Sequence, residues 1–137
     1  MEIGPLPHHL YGAACALWYD AGLVRPWNDP GEDLHRAMDG SASTVLGCVE
    51  EDRLVATAMV GHDGHRGWVY YLAVAEQQRR RGLGTAMMRA CEQWLRARDV
   101  PKIQLMVRDS NASVIAFYTR LGYADAQVVV LGLRLDG

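Results

Sequence analysis

Apolar residues recur at helical spacing in four stretches of this chain and crowd into strand-like runs in five. Residues 9–22 place Leu10, Ala13, Ala14, Leu17 and Trp18 on one helical face, with Gly22 as a stop. Residues 32–38 predict a short second helix, ended by Gly40. A third helix runs from the glycines at 82 and 84 to about Arg98, with Leu83, Met87, Cys91, Trp94 and Leu95 on one stripe. Its opposite face carries Thr85, Arg89, Glu92 and Arg96. Residues 111–121 predict a fourth, with Val114, Phe117, Tyr118 and Leu121 at helical spacing and Gly122 behind them.

The strand-like runs are 43–50 and 54–61, joined around Glu51, Asp52 and Arg53, then 68–75, 102–107 and a closing run, 127–135, that Gly132 divides. The first three follow one another through short turns and are expected to be antiparallel. A helix separates 68–75 from 102–107, so that pair is expected to be parallel. At the N-terminus a first strand is left open, because Gly4, Pro5 and Pro7 interrupt it. The order predicts an α/β domain with a mixed sheet.

Composition narrows the classes. The chain has 137 residues, enough for one domain with a real core. A net charge of −2 argues against a general nucleic-acid or anionic-membrane binder. No apolar run approaches a membrane span, and the start lacks the pattern of a signal peptide. Cys15, Cys48 and Cys91 are odd in number and widely spaced, as expected of buried thiols in a reduced, cytoplasmic protein. No His/Cys cluster has zinc spacing, so no metal is expected.

The densest chemistry lies between the 68–75 run and the third helix: Arg79, Arg80, Arg81, Gly82, Leu83, Gly84 and Thr85. The first N–H groups of a helix have no partner within it, and the helix dipole adds partial positive charge there. Glycines let that backbone approach an anion, and arginines supply forked donors. A phosphorylated ligand is the expectation. A nucleotide P-loop is excluded because Gly84 precedes Thr85 with no lysine, and a dinucleotide fingerprint because Met87 replaces the third glycine.

The loop does fit [QR]-x-x-G-x-[GA], from Arg79 to Gly84. Further on, Asn111 and Tyr118 stand seven residues apart, before Leu121, Gly122 and Tyr123. Together these motifs resemble the GNAT superfamily of acyl-CoA-dependent N-acetyltransferases. The strings at 24–30, 63–67 and 101–104 are similar to bacterial GNAT proteins of the YpeA type. The resemblance implies the GNAT fold, a mixed, mostly antiparallel sheet with a splayed parallel pair and helices on both faces. It implies acetyl-CoA as cosubstrate, with the pantetheine arm along the backbone of Leu72, Ala73 and Val74. The pyrophosphate would lie on the amides of Arg80, Arg81, Gly82, Leu83, Gly84 and Thr85, with Arg79 framing the loop. Asn111 would contact the pantetheine arm, and Tyr118 would protonate the leaving thiolate as acetyl passes to an amine. Asn111 also suits an N-cap and Tyr118 a core position.

An alkyl amine must lose a proton before attack. Family members often place a glutamate early in the pre-loop strand or in the next strand. Here Trp68, Val69, Tyr70 and Tyr71 occupy the first region and Met106 the second, so no base is assigned. The acceptor pocket is expected to use Arg25, Trp27, Asn28 and Asp29 from the loop between the first two helices, with His65 and Tyr70. Asp29 also suits the N-cap of the second helix, and Asp63-Gly64 a tight turn. The rival expectation is a CoA-binding sensor or interaction module without turnover. The run at 128–131 could pair across a homodimer or lie inside the sheet.

Overall fold

The structure, a computed structural model, describes residues 1–136. The chain divides into two compact units, Met1–Leu105 and Met106–Gly137.

The first unit holds strands β1 (Glu2–Pro5), β2 (Ser43–Glu50), β3 (Arg53–His62), β4 (Gly67–Val74) and β5 (Ile103–Leu105). It also holds helices α1 (Tyr11–Asp20), α2 (Pro30–Asp39) and α3 (Leu83–Arg96). The strands form one sheet in the order β1-β2-β3-β4-β5. The first four are antiparallel neighbours, and β5 runs parallel to β4. That parallel pair follows from the crossover through α3.

The N-terminal strand forms despite its glycine and proline. Residues 2–5 pair with Val49, Cys48, Gly47 and Leu46 in turn. β1 is an edge strand, where a proline's missing N–H need not interrupt a ladder. The β2–β3 turn is tight, with Glu51 at φ +52° and Asp52 at φ +60°, as a two-residue hairpin requires.

The helices cover both faces of the sheet. On β3, Thr57 accepts a hydrogen bond from Trp18 of α1. His62 lies five positions on, so it points to the other face. Its cross-strand partner Gly67 faces Leu95 of α3, where an added Cβ would come within 2.4 Å of Leu95 Cδ1. Side chains packed on the α1–α2 side include Leu6, Leu10, Trp18, Leu34, Val45 and Ala73. The α3 stripe buries Leu83, Met87, Cys91 and Leu95, with Met88 added.

Four expectations need correction. Ala13 is exposed, because α1 turns Ala14 and Trp18 to the sheet. Glu92, expected on the outer face of α3, is buried; Arg89 Nη1 donates to both its carboxylate oxygens at 2.9 Å and Arg96 lies 4.0 Å away. Paired with arginines, a carboxylate can be covered without being stranded. β5 spans only three residues rather than six. The fourth concerns the tail.

The second unit contains helix α4 (Ala112–Arg120), closed by Gly122 at φ +99°. The closing strand expected over 127–135 is absent: these residues form neither helix nor strand. Val128, Val129, Val130, Leu131, Leu133 and Leu135 are exposed, Leu135 at 92%. Apolar, β-branched sequence favours a strand only where a neighbour completes the ladder. Among the described residues, no helix is long and apolar enough to cross a membrane.

Candidate active site

β4 departs from a regular strand at its middle. Thr57 pairs with Ala73 and Met59 with Tyr70, so Ala58 alone opposes both Tyr71 and Leu72. The extra residue makes a β-bulge, and Tyr71 absorbs it at φ +54°. An aromatic residue in the left-handed region is unusual and tends to mark functional backbone. On the other side of β4, the parallel ladder ends at Val69 and Leu105. Residues 70–74, including Leu72, Ala73 and Val74, continue without a β5 partner.

Beyond β4, a single 3-10 turn (Glu76–Gln78) leads into the arginine–glycine loop. Arg80 lies at φ +69° and Gly82 at φ +77°. Gly82 is the N-cap of α3, and no side chain caps the helix. The amides of Leu83, Gly84 and Thr85 therefore begin the helix without a side-chain acceptor, as anion binding needs. Two arginines have structural partners. Arg79 Nε donates to the Val74 carbonyl at 3.4 Å, and Arg81 pairs with Glu50 at 2.9 Å and with Gln78. The Arg81 hydrogen bond holds the Glu50 carboxyl below its ordinary value. Arg80 makes no hydrogen bond or ion pair among the described residues, which leaves its guanidinium available to an anion.

The acceptor-side residues divide in the same way. Arg25 Nη1 donates to the Gly22 carbonyl at 2.6 Å and so closes the end of α1. Asp29 caps α2 by accepting from Glu32 N at 3.1 Å. Asn28 donates to Asp33 at 3.4 Å. Trp27 is 56% exposed and Tyr70 44%. His65 is exposed, at the β3–β4 turn. That turn is built by Asp63, whose Oδ1 accepts from His65 N at 2.9 Å and Arg66 N at 2.7 Å. These backbone bonds hold the Asp63 carboxyl below the usual range. It is a poor base for that reason.

In the second unit, Asn111 occupies the N-cap position of α4 but makes no side-chain cap; its Oδ1 accepts from Ser113 at 3.4 Å. Its side chain is not committed to the helix end, contrary to the simplest N-cap expectation. Tyr118 is the one buried residue of α4, edge-on to Phe117 and Tyr123.

Comparison with known proteins fits this architecture. The acetyltransferase (GNAT) family model matches residues 12–123, most of the chain. The chain belongs to the GNAT acetyltransferase family. Solved structures share the GNAT fold. AAC(6')-Iy, in complex with the bisubstrate analogue CoA-S-monomethyl-acetylneamine, superposes at TM-score 0.83 with 11% identity, covering 97% of each chain. The aminoglycoside 6'-N-acetyltransferase AAC(6')-IG from Acinetobacter haemolyticus gives 0.79 and 16%, over 99% of this chain and 100% of that one. A mutant of the BH1408 protein from Bacillus halodurans gives 0.72 and 24%, over 98% and 99%.

In this acetyltransferase the thiols carry no sign of activation. Cys48 and Cys91 are buried and Cys15 partly so. Burial pushes the Cys91 thiol up to about 12, the opposite of what a nucleophile needs. Among the described residues, no three His, Cys, Asp or Glu side chains gather as a metal site. The sequence pattern did not single out Asp33 or Thr57, and it gave Trp18 and Tyr71 no role at the bulge. The adjacent tyrosines at 70 and 71 break the strand alternation, and that is the signal that could have flagged them.

Proposed function

We propose that this acetyltransferase takes acetyl-CoA and passes the acetyl group directly to the nitrogen of an amine. The observation that carries the reading is the uncapped start of α3, with Gly82 at φ +77°, directly after a strand whose ladder to β5 has ended. The amides of residues 80–85 hold the pyrophosphate and the Arg80 guanidinium adds charge. The backbone of Leu72, Ala73 and Val74 receives the pantetheine arm. Asn111 and Tyr118 take the roles that their motif implies: Asn111 contacts the arm, and Tyr118 donates a proton to the thiolate as the carbon–sulfur bond breaks. A thiol with an ordinary pKa of about 8.5 leaves readily when a phenol stands ready to donate.

The acceptor arrives protonated unless its pKa is low. Of the turn residues, His65 suits the base role better than Asp63, whose carboxyl the backbone bonds of the turn hold below its usual range. Trp27, Asn28 and Tyr70 serve as pocket wall, while Arg25 and Asp29 hold the loop that carries the first two. Aminoglycoside amines belong in the acceptor panel, given the solved neighbours. The strings at 24–30, 63–67 and 101–104 support the narrower likeness to YpeA-type proteins. Three free thiols suit a reducing, cytoplasmic setting.

The tail adds a partner. Residues 128–131 are apolar at every position, so a strand there would need cover on both faces. It has no ladder among the described residues, and a second copy supplies an identical, self-complementary run.

The test is thiol release from acetyl-CoA over small amines, amino acids, peptides and aminoglycosides, alongside melting with acetyl-CoA. Acetyl-CoA at a hundred times its Kd should stabilise the protein by about 2.7 kcal/mol. Tyr118→Phe should lower turnover by ~10²–10⁴-fold with acetyl-CoA affinity retained. Stabilisation with no thiol released by any amine would mark a CoA-binding module instead.

A further inference from the structure

The bulge in β4 is held by side chains from three other elements. The Tyr71 carbonyl accepts from Thr57 Oγ1 at 3.0 Å. The Thr57 hydroxyl oxygen in turn accepts from Trp18 Nε1 at 2.8 Å. The Trp18 ring stacks on the Tyr71 ring, with centroids 4.0 Å apart and planes 16° from parallel. The Tyr71 hydroxyl donates to Asp33 Oδ2 at 2.8 Å. Trp18, Thr57 and Tyr71 thus close a circuit, and Asp33 ties it to α2.

Trp18 and Thr57 are fully buried. A buried threonine hydroxyl is retained only where it is satisfied, and here it accepts from Trp18 and donates to the backbone of Tyr71. That residue sits at φ +54°, where a side chain is sterically disfavoured and must be held from outside. The consequence for β4 is register. If Tyr71 relaxed to an extended conformation, the strand could not absorb its extra residue. Leu72, Ala73 and Val74 would then slip by one position and exchange faces.

We propose that Trp18, Thr57 and Asp33 are positioning residues that hold the Tyr71 backbone left-handed and so keep the β4 peptide groups at 70–74 in place for the acyl-pantetheine arm. The inference rests on the acetyl-CoA reading above. It separates two halves of one ligand: the circuit governs the pantetheine half, while the arginine–glycine loop governs the nucleotide half.

Two probes divide these halves. Acetyl-CoA reaches both, whereas adenosine 3′-phosphate 5′-diphosphate carries the nucleotide and diphosphate alone. Calorimetric titration would compare wild type with Thr57→Val, Thr57→Ser, Asp33→Ala and Asp33→Asn. Thr57→Val and Asp33→Ala should weaken acetyl-CoA binding by about tenfold, the worth of one lost hydrogen bond in a preorganised site. Nucleotide binding should stay as in wild type. Thr57→Ser and Asp33→Asn, which keep an oxygen in place, should restore acetyl-CoA affinity. If Thr57→Val fails to fold, the half-buried Asp33 pair decides. Equal binding of both probes to wild type and variants would overturn the proposal, as would equal weakening of both. Wild type that binds neither probe would overturn the acetyl-CoA reading itself, and this inference with it.

Discussion

β4 and the tail at 127–135 both read as strands in sequence and differ in structure. The tail is the more apolar, with three valines and three leucines in residues 128–135 against two valines and one leucine in β4. Yet β4 is an inner strand of the sheet, and the tail forms no strand. The difference lies in their neighbours. β3 runs beside β4 for its whole length and accommodates even an extra residue. Among the described residues nothing does this for the tail. Strand propensity describes how well a residue fits a pleated surface, and it supplies no surface by itself.

The comparison breaks most visibly at the level of assembly. If the tail finds its ladder on a second copy, Val129→Asp with Leu131→Asp should halve the mass measured by light scattering. The melting temperature of the single copy should then stand apart from that of the pair. A wild-type protein that already runs as one copy at micromolar concentration would leave the tail without any partner and remove the homodimer.

A smaller effect sharpens the packing side. An added Cβ at Gly67 meets the buried Leu95 side chain at 2.4 Å, whereas one at Gly132 meets nothing within 4 Å. Gly67→Ala should therefore cost about 1–3 kcal/mol of unfolding free energy. Gly132→Ala should change it by less than about 0.5 kcal/mol. Urea midpoints would read both, and equal small changes would mean that β4 is no better packed than the tail.

The smallest effect is the pH dependence of the β4 environment. Burial, with the Asp33 hydrogen bond, pushes the Tyr71 hydroxyl up to about 12, from an ordinary value of 10.0. A raised value means that the folded state keeps a proton the unfolded chain releases. The contribution is complete below about pH 10 and is lost as pH rises through about 12. Cys91 acts in the same direction, from 9.0 to about 12. Stability should decline between about pH 9 and 12, and Tyr71→Phe should make the upper part of that decline shallower. An identical profile in the variant would mean that the Tyr71 hydroxyl titrates as it does in the unfolded chain.

Much of the fold was legible because periodicity is a local signal. The bounds of β2 match the sequence expectation, and α3 and α4 carry the predicted stripes in large part. β1 was left open by the sequence because Pro5 and Gly4 are unfavourable in a generic strand and acceptable at an edge, and edges are assigned only when the sheet assembles. Glu92 was misjudged because burial of a charge depends on which arginines reach it. The arginine–glycine loop was legible as the start of α3, since spacing alone puts glycines at a helix start. The division of labour among its arginines was not: Arg81 turns to Glu50, thirty-one positions away.

By itself the sequence determined the local conformations, the crossover that makes β4 and β5 parallel, and the motifs that place the chain among the GNAT acetyltransferases. Only the tertiary structure decided where β4 bulges, and which of Arg79, Arg80 and Arg81 remains open to a ligand. The reason is physical. A left-handed tyrosine is disfavoured by its own backbone, and the contacts made here by Tyr71 and its Thr57 partner come from Trp18, Thr57 and Asp33, residues that lie far from Tyr71 in the chain and meet it only on folding.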